Sequence, residues 1–302
     1  MTEAMNGVLV IDKPEGKTSF DVVAEARRAL RVKKAGHTGT LDPMATGVLP
    51  VCLGTATRLV PFLTEGDKEY VAEVRLGAAT DTQDRTGKVI AEAPVGELPR
   101  ERLLETLERF HGELEQVPPM YSAVRVDGKR LYELARKGVE VERAARRVVV
   151  HEIELLALEA PLLSIRVRCS KGTYVRTLAH ELGERLGCHA HLTALRRTAS
   201  GPFTLARAIS FFELRALPRE ELQGRMVGDR EALATMPEVM VGPAPEARIR
   251  QGQRLTARDL PALGELAEGA RLRMTAEDGR VLAVAEWREG VAQYLRVLAG
   301  TG

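Results

Sequence analysis

Residues 35–50 read AGHTGTLDPMATGVLP, a stretch rich in glycine and proline around one carboxylate, Asp42, with His37 five residues before it. Glycine permits tight backbone paths and proline fixes others, so the stretch predicts a structured loop. In such a loop Asp42 could simply cap the following turn. A lone carboxylate is too few for the paired acids of a glycosidase, but it could act as a nucleophile.

On either side of this loop, strand and helix patterns alternate without a regular β–α–β rhythm. Thr18 and Asp21 form a capping-box pattern at the start of a helix, and residues 70–76 alternate apolar and polar side chains as a half-buried strand does. The predicted strands are 7–11, 70–76, 147–158 and 162–169, and the predicted helices are 18–30, 101–111 and 175–186. This mixture predicts the α+β class, with helices flanking a mixed, mostly antiparallel sheet.

The end of the chain has a different composition. Four prolines and several acidic residues lie between positions 218 and 245, which is typical of a domain boundary. Beyond them, strand patterns at 270–275 and 281–286 flank Asp278-Gly279, a pair that favours a hairpin turn. We therefore predict two domains, 1–237 and 238–302, of which the second is small and rich in β-structure.

The net charge is small, while one segment is strongly basic. The 302 residues carry 44 Lys+Arg and 42 Asp+Glu, a net charge of +2, but residues 121–151 hold eight Lys/Arg against four Asp/Glu. This local excess suits an RNA-contacting segment. The sequence shows no apolar run of membrane-spanning length, no signal-peptide pattern and only three scattered cysteines. These features predict a cytoplasmic protein that neither enters a membrane nor carries a disulfide framework.

Two motifs imitate other functions. Gly16-Lys17-Thr18 follows a strand and precedes a helix as in a P-loop, but Ile11 stands where the phosphate cradle needs glycine. Cys188-His189-Ala190-His191 looks like a set of metal ligands, yet nothing nearby in the sequence completes a tetrahedral site. The sequence therefore predicts neither nucleotide hydrolysis nor a metal centre.

Six segments, in order, resemble one family, the TruB-type tRNA pseudouridine synthases. GHTGTLDPMATGVLPV at 36–51 resembles the family's signature, and DKPEGKTS at 12–19 resembles its Lys-Pro motif. The further segments are Lys68-Glu69-Tyr70 with Thr80-Asp81-Thr82, VPPMYSAVRVDGKRLYEL at 117–134, CSKGTYVRTLAHELGERLG at 169–187 and HLTALRRTASGPF at 191–203. The resemblance covers about residues 7–215 and becomes weak after about 237.

This resemblance implies that uridine 55 in the T-loop of tRNA is isomerised to pseudouridine. The N1–C1′ bond breaks and a C5–C1′ bond forms, which requires neither a cofactor nor a metal. Asp42 is then the catalytic aspartate, and the substrate-binding residues are His37, Tyr70, Tyr174, Arg176 and Leu195. His37 would hold the T-loop with the uridine flipped out, Tyr70 would stack on the extruded base, and Arg176 would pair with Asp42.

The resemblance also implies how the RNA is held. A basic insertion at about 118–147 would grip phosphates, a PUA-like tail would add RNA contacts, and a monomer would bind the T-arm without an obligate protein partner. The implied RNA-binding residues are Lys13, Lys129, Arg130, Arg136, Arg143, Arg146 and Arg147. The same features would suit a non-catalytic RNA-binding or tRNA-folding protein, and the two functions differ in whether pseudouridine appears in the RNA.

Overall fold

The structure is a computed structural model that describes residues 5–122, 124–126, 128–135 and 137–298, without the side chains of residues 125, 126, 129, 130 and 132. Its strands are β1 (Gly7–Lys13), β2 (Ala35–His37), β3 (Thr46–Leu53), β4 (Lys68–Leu76), β5 (Ala78–Thr80), β6 (Val89–Glu92), β7 (Gly112–Gln116), β8 (Arg125–Val126), β9 (Lys129–Arg130), β10 (Arg146–Glu159), β11 (Leu162–Cys169), β12 (Ala190–Ser200), β13 (Phe203–Thr204), β14 (Ile209–Ser210), β15 (Glu238–Val241), β16 (Leu255–Thr256), β17 (Arg271–Ala276), β18 (Val281–Arg288) and β19 (Val291–Val297).

The α-helices are short, and several occupy single turns between strands. They are α1 (Ser19–Ala29), α2 (Val60–Leu63), α3 (Arg100–Glu108), α4 (Leu131–Ala135), α5 (Val175–Leu186), α6 (Phe211–Ala216), α7 (Arg219–Gly224), α8 (Asp229–Ala232) and α9 (Pro243–Arg250). Within the described part of the chain, none of these helices has the length and apolar character needed to cross a bilayer.

One large sheet organises most of the chain. Its strand order is β14-β1-β3-β12-β4-β11-β10-β7, with β2 beside β3 and β13 beside β12. The pairs β1–β14 and β3–β12 are parallel, and the other pairs are antiparallel. An apolar cluster joins one face of the sheet to α1, α3 and α5. The predicted α+β fold with a mixed, mostly antiparallel sheet is confirmed.

Local sequence explains how the helices over this face begin and end. Thr18 caps α1 by accepting a hydrogen bond from the backbone N–H of Asp21, and the Asp21 carboxylate accepts one from the Thr18 N–H in return. Gly187, with a φ of 78°, ends α5 where the predicted helix 175–186 ends. The predicted helix 101–111 is wrong at its C-terminal end, because α3 stops at Glu108 and the next residues turn into β7.

The last 60 or so residues form a second sheet, of order β15-β17-β18-β19-β16. The predicted turn at Asp278-Gly279 joins the antiparallel strands β17 and β18. Val281 and Val284 of β18 belong to the same buried cluster as Val8 and Val48 on the other face of the main sheet. The β-rich tail thus shares an apolar core with the main sheet.

Candidate active site

Asp42 lies in the loop between β2 and β3, at one end of the main sheet. The Asp42 carbonyl accepts a hydrogen bond from the Ala45 N–H at 3.0 Å, which closes a turn, and the Ser19 hydroxyl of α1 accepts one from the Leu41 N–H at 2.9 Å. Gly47, with a φ of 103°, brings the loop into β3 so close to Arg197 that a Cβ would lie 2.2 Å from its carbonyl oxygen. The loop is therefore fixed on both sides of Asp42.

Lys13 ties the same loop to the end of β1. Its ammonium donates to the carbonyls of Lys17 at 2.6 Å, Pro14 at 2.9 Å and Pro43 at 3.2 Å, and the residue is fully buried. Burial lowers the pKa of Lys13 to about 8, against the opposing attraction of Asp42. The structure places Lys13, an expected RNA contact, in the interior, where its ammonium is directed at three backbone carbonyls and not at solvent.

Arg176, the second residue of α5, pairs with Asp42. Its Nη2 lies 3.1 Å from Oδ2 and 3.3 Å from Oδ1 of Asp42, and it also donates to the Tyr121 carbonyl at 2.9 Å. The Arg176 side chain is 6% exposed and that of Asp42 is 35% exposed, so the carboxylate faces both a buried cation and solvent. Burial raises the pKa of Asp42 above its usual value, while Arg176 counteracts that rise.

Asp84, which the sequence did not single out, completes the charge arrangement. Its Oδ2 lies 3.5 Å from Nη1 of Arg176, and its Oδ1 accepts hydrogen bonds from the Thr82 hydroxyl, the Thr86 N–H and the Thr86 hydroxyl at 2.8, 2.9 and 2.6 Å. Asp84 is buried. The buried guanidinium is therefore held between two carboxylates, one fixed by three donors and one open to solvent. The threonines on both sides of Asp84 are the sequence feature that could have indicated a hydrogen-bonded, buried carboxylate.

Tyr174 immediately precedes α5 and is held by Gln116, the last residue of β7. The Gln116 amide accepts from the Tyr174 N–H at 2.7 Å and donates to the Tyr174 carbonyl at 3.2 Å. The Arg176 guanidinium carbon lies 5.7 Å from the centre of the Tyr174 ring, within cation–π range. Tyr174 thus lies beside the Asp42–Arg176 pair, and Gln116 is a second residue that sequence reasoning missed.

Tyr70 and Leu195 lie on β4 and β12 and belong to the same buried cluster as Leu41 and Met44, which flank Asp42. Leu195 stands opposite Ala72, and Arg197 stands opposite Tyr70, so that alternate residues of β12 share one face with alternate residues of β4. Tyr70 and Leu195 are each 9% exposed and belong to the cluster beneath α5. Burial raises the pKa of Tyr70, which keeps its phenol neutral.

Two buried cations neighbour Tyr70: Arg197 stands opposite it on β12, and Lys68 lies two residues before it on β4. Arg197 donates to the carbonyls of Val48 at 2.7 Å and Gly39 at 3.1 Å, and Lys68 donates to the Thr64 carbonyl at 2.5 Å. Burial, with a contribution from Arg197, lowers the pKa of Lys68 to about 8. These side chains bind the backbone around the site and were not predicted.

His37 ends β2, two residues before Gly39. Its Nδ1 accepts a hydrogen bond from the Gly39 N–H at 3.3 Å, an arrangement that leaves Nε2 to carry the proton of the neutral ring. Burial, with a contribution from Arg197, lowers the pKa of His37. His37 therefore stands half-buried and neutral at the start of the loop that carries Asp42.

The basic insertion leaves the sheet between β7 and β10, close to the predicted bounds. Arg146 and Arg147 are exposed at the start of β10, whereas Arg143 donates to the Pro118 carbonyl at 3.2 Å and lies 3.3 Å from Glu140. The side chains of Lys129 and Arg130 in β9, and the whole of Arg136, lie outside the described residues. Arg146 and Arg147 are the implied phosphate contacts that the structure places in solvent.

The histidines of the rejected metal motif have other partners. His189 Nδ1 lies 2.6 Å from Glu184, and His191 Nδ1 lies 2.8 Å from the Ala78 carbonyl. Among the residues whose placement is described, no group of three or more His, Cys, Asp or Glu side chains is arranged to hold a metal ion.

Comparisons with known proteins define the class first. The chain is similar in structure to one in the crystal structure of a Cbf5-Nop10-Gar1 complex, with a TM-score of 0.77 and 28% identity over 97% of this chain and 85% of that one. The model of the TruB family pseudouridylate synthase N-terminal domain matches residues 27–175, and that of the tRNA pseudouridylate synthase B C-terminal domain matches residues 176–232. The fold and the matching family models are those of a pseudouridine synthase, an isomerase.

Curated relatives identify the family. The chain is 48% identical to the tRNA pseudouridine synthase B of Azoarcus sp. (strain BH72), over 98% of this chain and 95% of that protein. It is 55% identical to the protein of the same name from Symbiobacterium thermophilum, over 82% of each. The chain belongs to the TruB family of pseudouridylate synthases, which confirms the resemblance found in its sequence.

Proposed function

We propose that this chain converts uridine 55 in the T-loop of tRNA to pseudouridine, with Asp42 as the catalytic residue. The observation that carries the proposal is the half-open carboxylate of Asp42 against the buried Arg176. The name of these relatives, tRNA pseudouridine synthase B, supports tRNA as the substrate. Family membership supports the reaction, and the geometry supports the role of Asp42.

Asp42 can begin the reaction because its carboxylate is partly open to a substrate, while Arg176 orients it and favours its ionised form against the effect of burial. It would attack C6 of the base or C1′ of the ribose, or assist removal of the C2′ proton. Each route ends with the N1–C1′ bond broken and the C5–C1′ bond formed. C5 then loses its hydrogen as a proton and N1, freed from C1′, takes one up, so the isomerisation balances without an oxidant or a reductant.

The uridine must leave the stack before Asp42 can reach it, at a cost of a few kcal/mol. Loop nucleotides are less constrained than those of a duplex, which makes a T-loop a suitable target. In the proposal, Tyr70 stacks on the extruded base, and Leu195 and Tyr174 line its pocket. His37 holds the T-loop of the tRNA with the uridine flipped out. Stacking on an aromatic side chain is worth about 1–3 kcal/mol, enough to offset much of the flipping cost.

The remaining RNA would be held outside the cleft. Arg146 and Arg147 are exposed at the base of the insertion and are available to phosphates. We propose that residues 1–237 form the catalytic domain and that residues 238–302 form a PUA-like domain adding RNA contacts. We also propose that the protein acts in the cytoplasm as a monomer, and size-exclusion chromatography with light scattering would test the oligomeric state.

The direct test is incubation of the protein with an unmodified tRNA transcript, followed by mapping of pseudouridine at nucleotide resolution. The proposal expects one modified position, uridine 55. Product at another position would overturn the site while sparing the reaction. RNA binding without product would favour a non-catalytic RNA-binding protein.

A further inference from the structure

The insertion has a narrow base, which we call the neck: residues 116–121 on the outgoing arm and 143–146 on the returning arm. Gln116 and Arg146 stand opposite each other where β7 and β10 end their pairing. Arg143 crosses the neck to donate to the Pro118 carbonyl at 3.2 Å. The two arms are thus held together where they leave the sheet.

The neck also holds the start of α5. Gln116 is 2% exposed, and its amide bonds to both the N–H and the carbonyl of Tyr174, as a neighbouring strand would. The Tyr174 carbonyl in turn accepts from the N–H groups of Thr177 and Leu178, each at 3.1 Å, in the first turn of α5. Gln116 therefore fixes the position from which the helix begins.

A second bond joins the neck to Arg176 itself. Nη2 of Arg176 donates to the Tyr121 carbonyl at 2.9 Å and lies 3.1 Å from Oδ2 of Asp42. The same nitrogen is thus shared between the insertion and the catalytic carboxylate. Movement of the neck must shift either the helix that carries Arg176 or the hydrogen bond that orients its guanidinium.

We propose that Gln116 is a positioning residue that couples the insertion to the Asp42–Arg176 pair. RNA bound to the insertion fixes the position of the neck, and the neck fixes the position of the first turn of α5. The Arg176 guanidinium is thereby held against Asp42. This inference rests on the proposed function. The coupling matters for rate because displacing a reacting group by about 1 Å costs about a hundredfold.

The chain offers a matched control for Gln116. Gln83 also reaches the first turn of α5, where its Oε1 accepts a hydrogen bond from the Thr177 hydroxyl at 2.8 Å, but it belongs to the loop between β5 and β6 and has no part in the neck. Gln116→Met and Gln83→Met each keep the side-chain length and remove the amide. Gln116→Glu keeps an acceptor for the Tyr174 N–H but loses the donor to its carbonyl.

The catalytic readout is single-turnover pseudouridine formation with enzyme in excess. Gln116→Met should slow the rate constant at least tenfold while the Kd for the tRNA transcript stays within threefold, and Gln116→Glu should recover part of the loss. Gln83→Met should stay within threefold in both quantities. A Gln116→Met rate within twofold of wild type, or a rate loss matched by the same loss in binding, would overturn the coupling.

The second readout does not depend on catalysis. In the RNA-free protein, Gln116→Met should speed amide hydrogen exchange in residues 117–122 and 174–178 together, whereas Gln83→Met should affect only the second segment. Unchanged exchange in 117–122 would overturn the coupling whatever the chain catalyses. If both segments respond but the wild-type protein makes no pseudouridine, the coupling stands and the proposed function fails alone.

Discussion

Charged side chains are buried and paired in one region of the molecule and exposed to solvent in another. Around Asp42, the buried guanidinium of Arg176 is held between two carboxylates, and Asp84 is saturated by hydrogen bonds. At the base of the insertion, Arg146 and Arg147 stand in solvent. Removing one partner of a buried pair costs about 3–5 kcal/mol, whereas an exposed charge contributes about 1 kcal/mol or less and is screened by salt. Changes in the first region should therefore be large and non-additive, and changes in the second should be small and additive.

The sharpest test of the buried region is Asp42→Asn. Asparagine keeps the size and much of the hydrogen bonding, and it would serve nearly as well as a turn cap. It cannot form a covalent intermediate or accept a proton as a carboxylate does, so turnover should fall below detection. Tritium release from C5 of uridine in a tRNA transcript measures this, since that hydrogen leaves whenever the C5–C1′ bond forms.

RNA binding is the control for Asp42→Asn, because the exposed arginines of the insertion are unchanged. The Kd for the transcript should stay within a few fold of wild type. A variant that releases tritium within tenfold of wild type has lost only about 1.4 kcal/mol of transition-state stabilisation. Removal of a catalytic carboxylate should cost much more than that. That result would leave Asp42 as a turn residue.

Local patterns were sufficient for several of the longer elements and for the loop of Asp42. The capping box at Thr18 and the apolar spacing of residues 175–186 depend on neighbours in sequence, and both helices form as predicted. The predicted strand 70–76 lies within β4, although its central place between β11 and β12 was not foreseen. Strand order depends on which distant segments pair with each other, and the local pattern of a single sequence does not indicate these pairings.

The failures at the site have the same physical cause. Asp81 and Asp84 stand three residues apart, yet Asp81 is exposed and Asp84 is buried against a helix 92 residues away. Lys13 looked like an RNA contact, but one of its three carbonyl partners lies 30 residues away in the Asp42 loop. Burial imposed by remote strands decides the role of each charged side chain. Residue type and spacing alone therefore could not predict these roles.

Asp84→Asn tests whether the buried charges act as one unit. The amide can keep an oxygen toward Thr82 and Thr86, but it presents an N–H group to Arg176 and leaves the guanidinium short of one negative partner. The free energy of unfolding in urea should fall by about 3 kcal/mol, and turnover by tenfold to a hundredfold. Asp81→Asn is the matched control.

Asp81 is exposed and its carboxylate accepts the Lys88 N–H at 2.8 Å, so its variant should change stability by less than about 0.5 kcal/mol. Equal effects of the two substitutions would show that burial of Asp84 does not matter, and the contrast between the two regions would lose its basis.

The pH dependence of stability reports the buried cation at Lys13. Its folded pKa is about 8 against 10.5 for an ordinary lysine, so between these values the unfolded chain holds a proton that the folded chain has released. Below about pH 8 both states hold the proton. Wild type should therefore gain stability relative to Lys13→Met as the pH rises above 8, by up to about 1.4 kcal/mol per pH unit.

Urea unfolding of the two proteins from pH 7.5 to 9.5 measures this difference. Lys68, whose pKa is also lowered to about 8, is present in both proteins, so its contribution cancels. A difference that stays flat or shrinks as the pH rises would mean that Lys13 is not held as a buried cation.

The smallest effect is expected from the exposed region. Arg146→Ala and Arg147→Ala together should weaken transcript binding threefold to tenfold, and the slope of log K against log salt should fall by about one for each lost phosphate contact. Turnover at saturating RNA should stay within threefold, since saturating RNA still engages the insertion and the Gln116–Tyr174 and Tyr121–Arg176 hydrogen bonds are unchanged. Arg58→Ala with Arg225→Ala, two exposed arginines outside the insertion, controls for net charge. If the control pair lowers the slope equally, binding follows overall charge. The other contrary result is that Arg146→Ala with Arg147→Ala abolishes turnover at saturating RNA but keeps the slope. The exposed arginines would then belong to the catalytic unit, and the contrast between buried and exposed charges would fail.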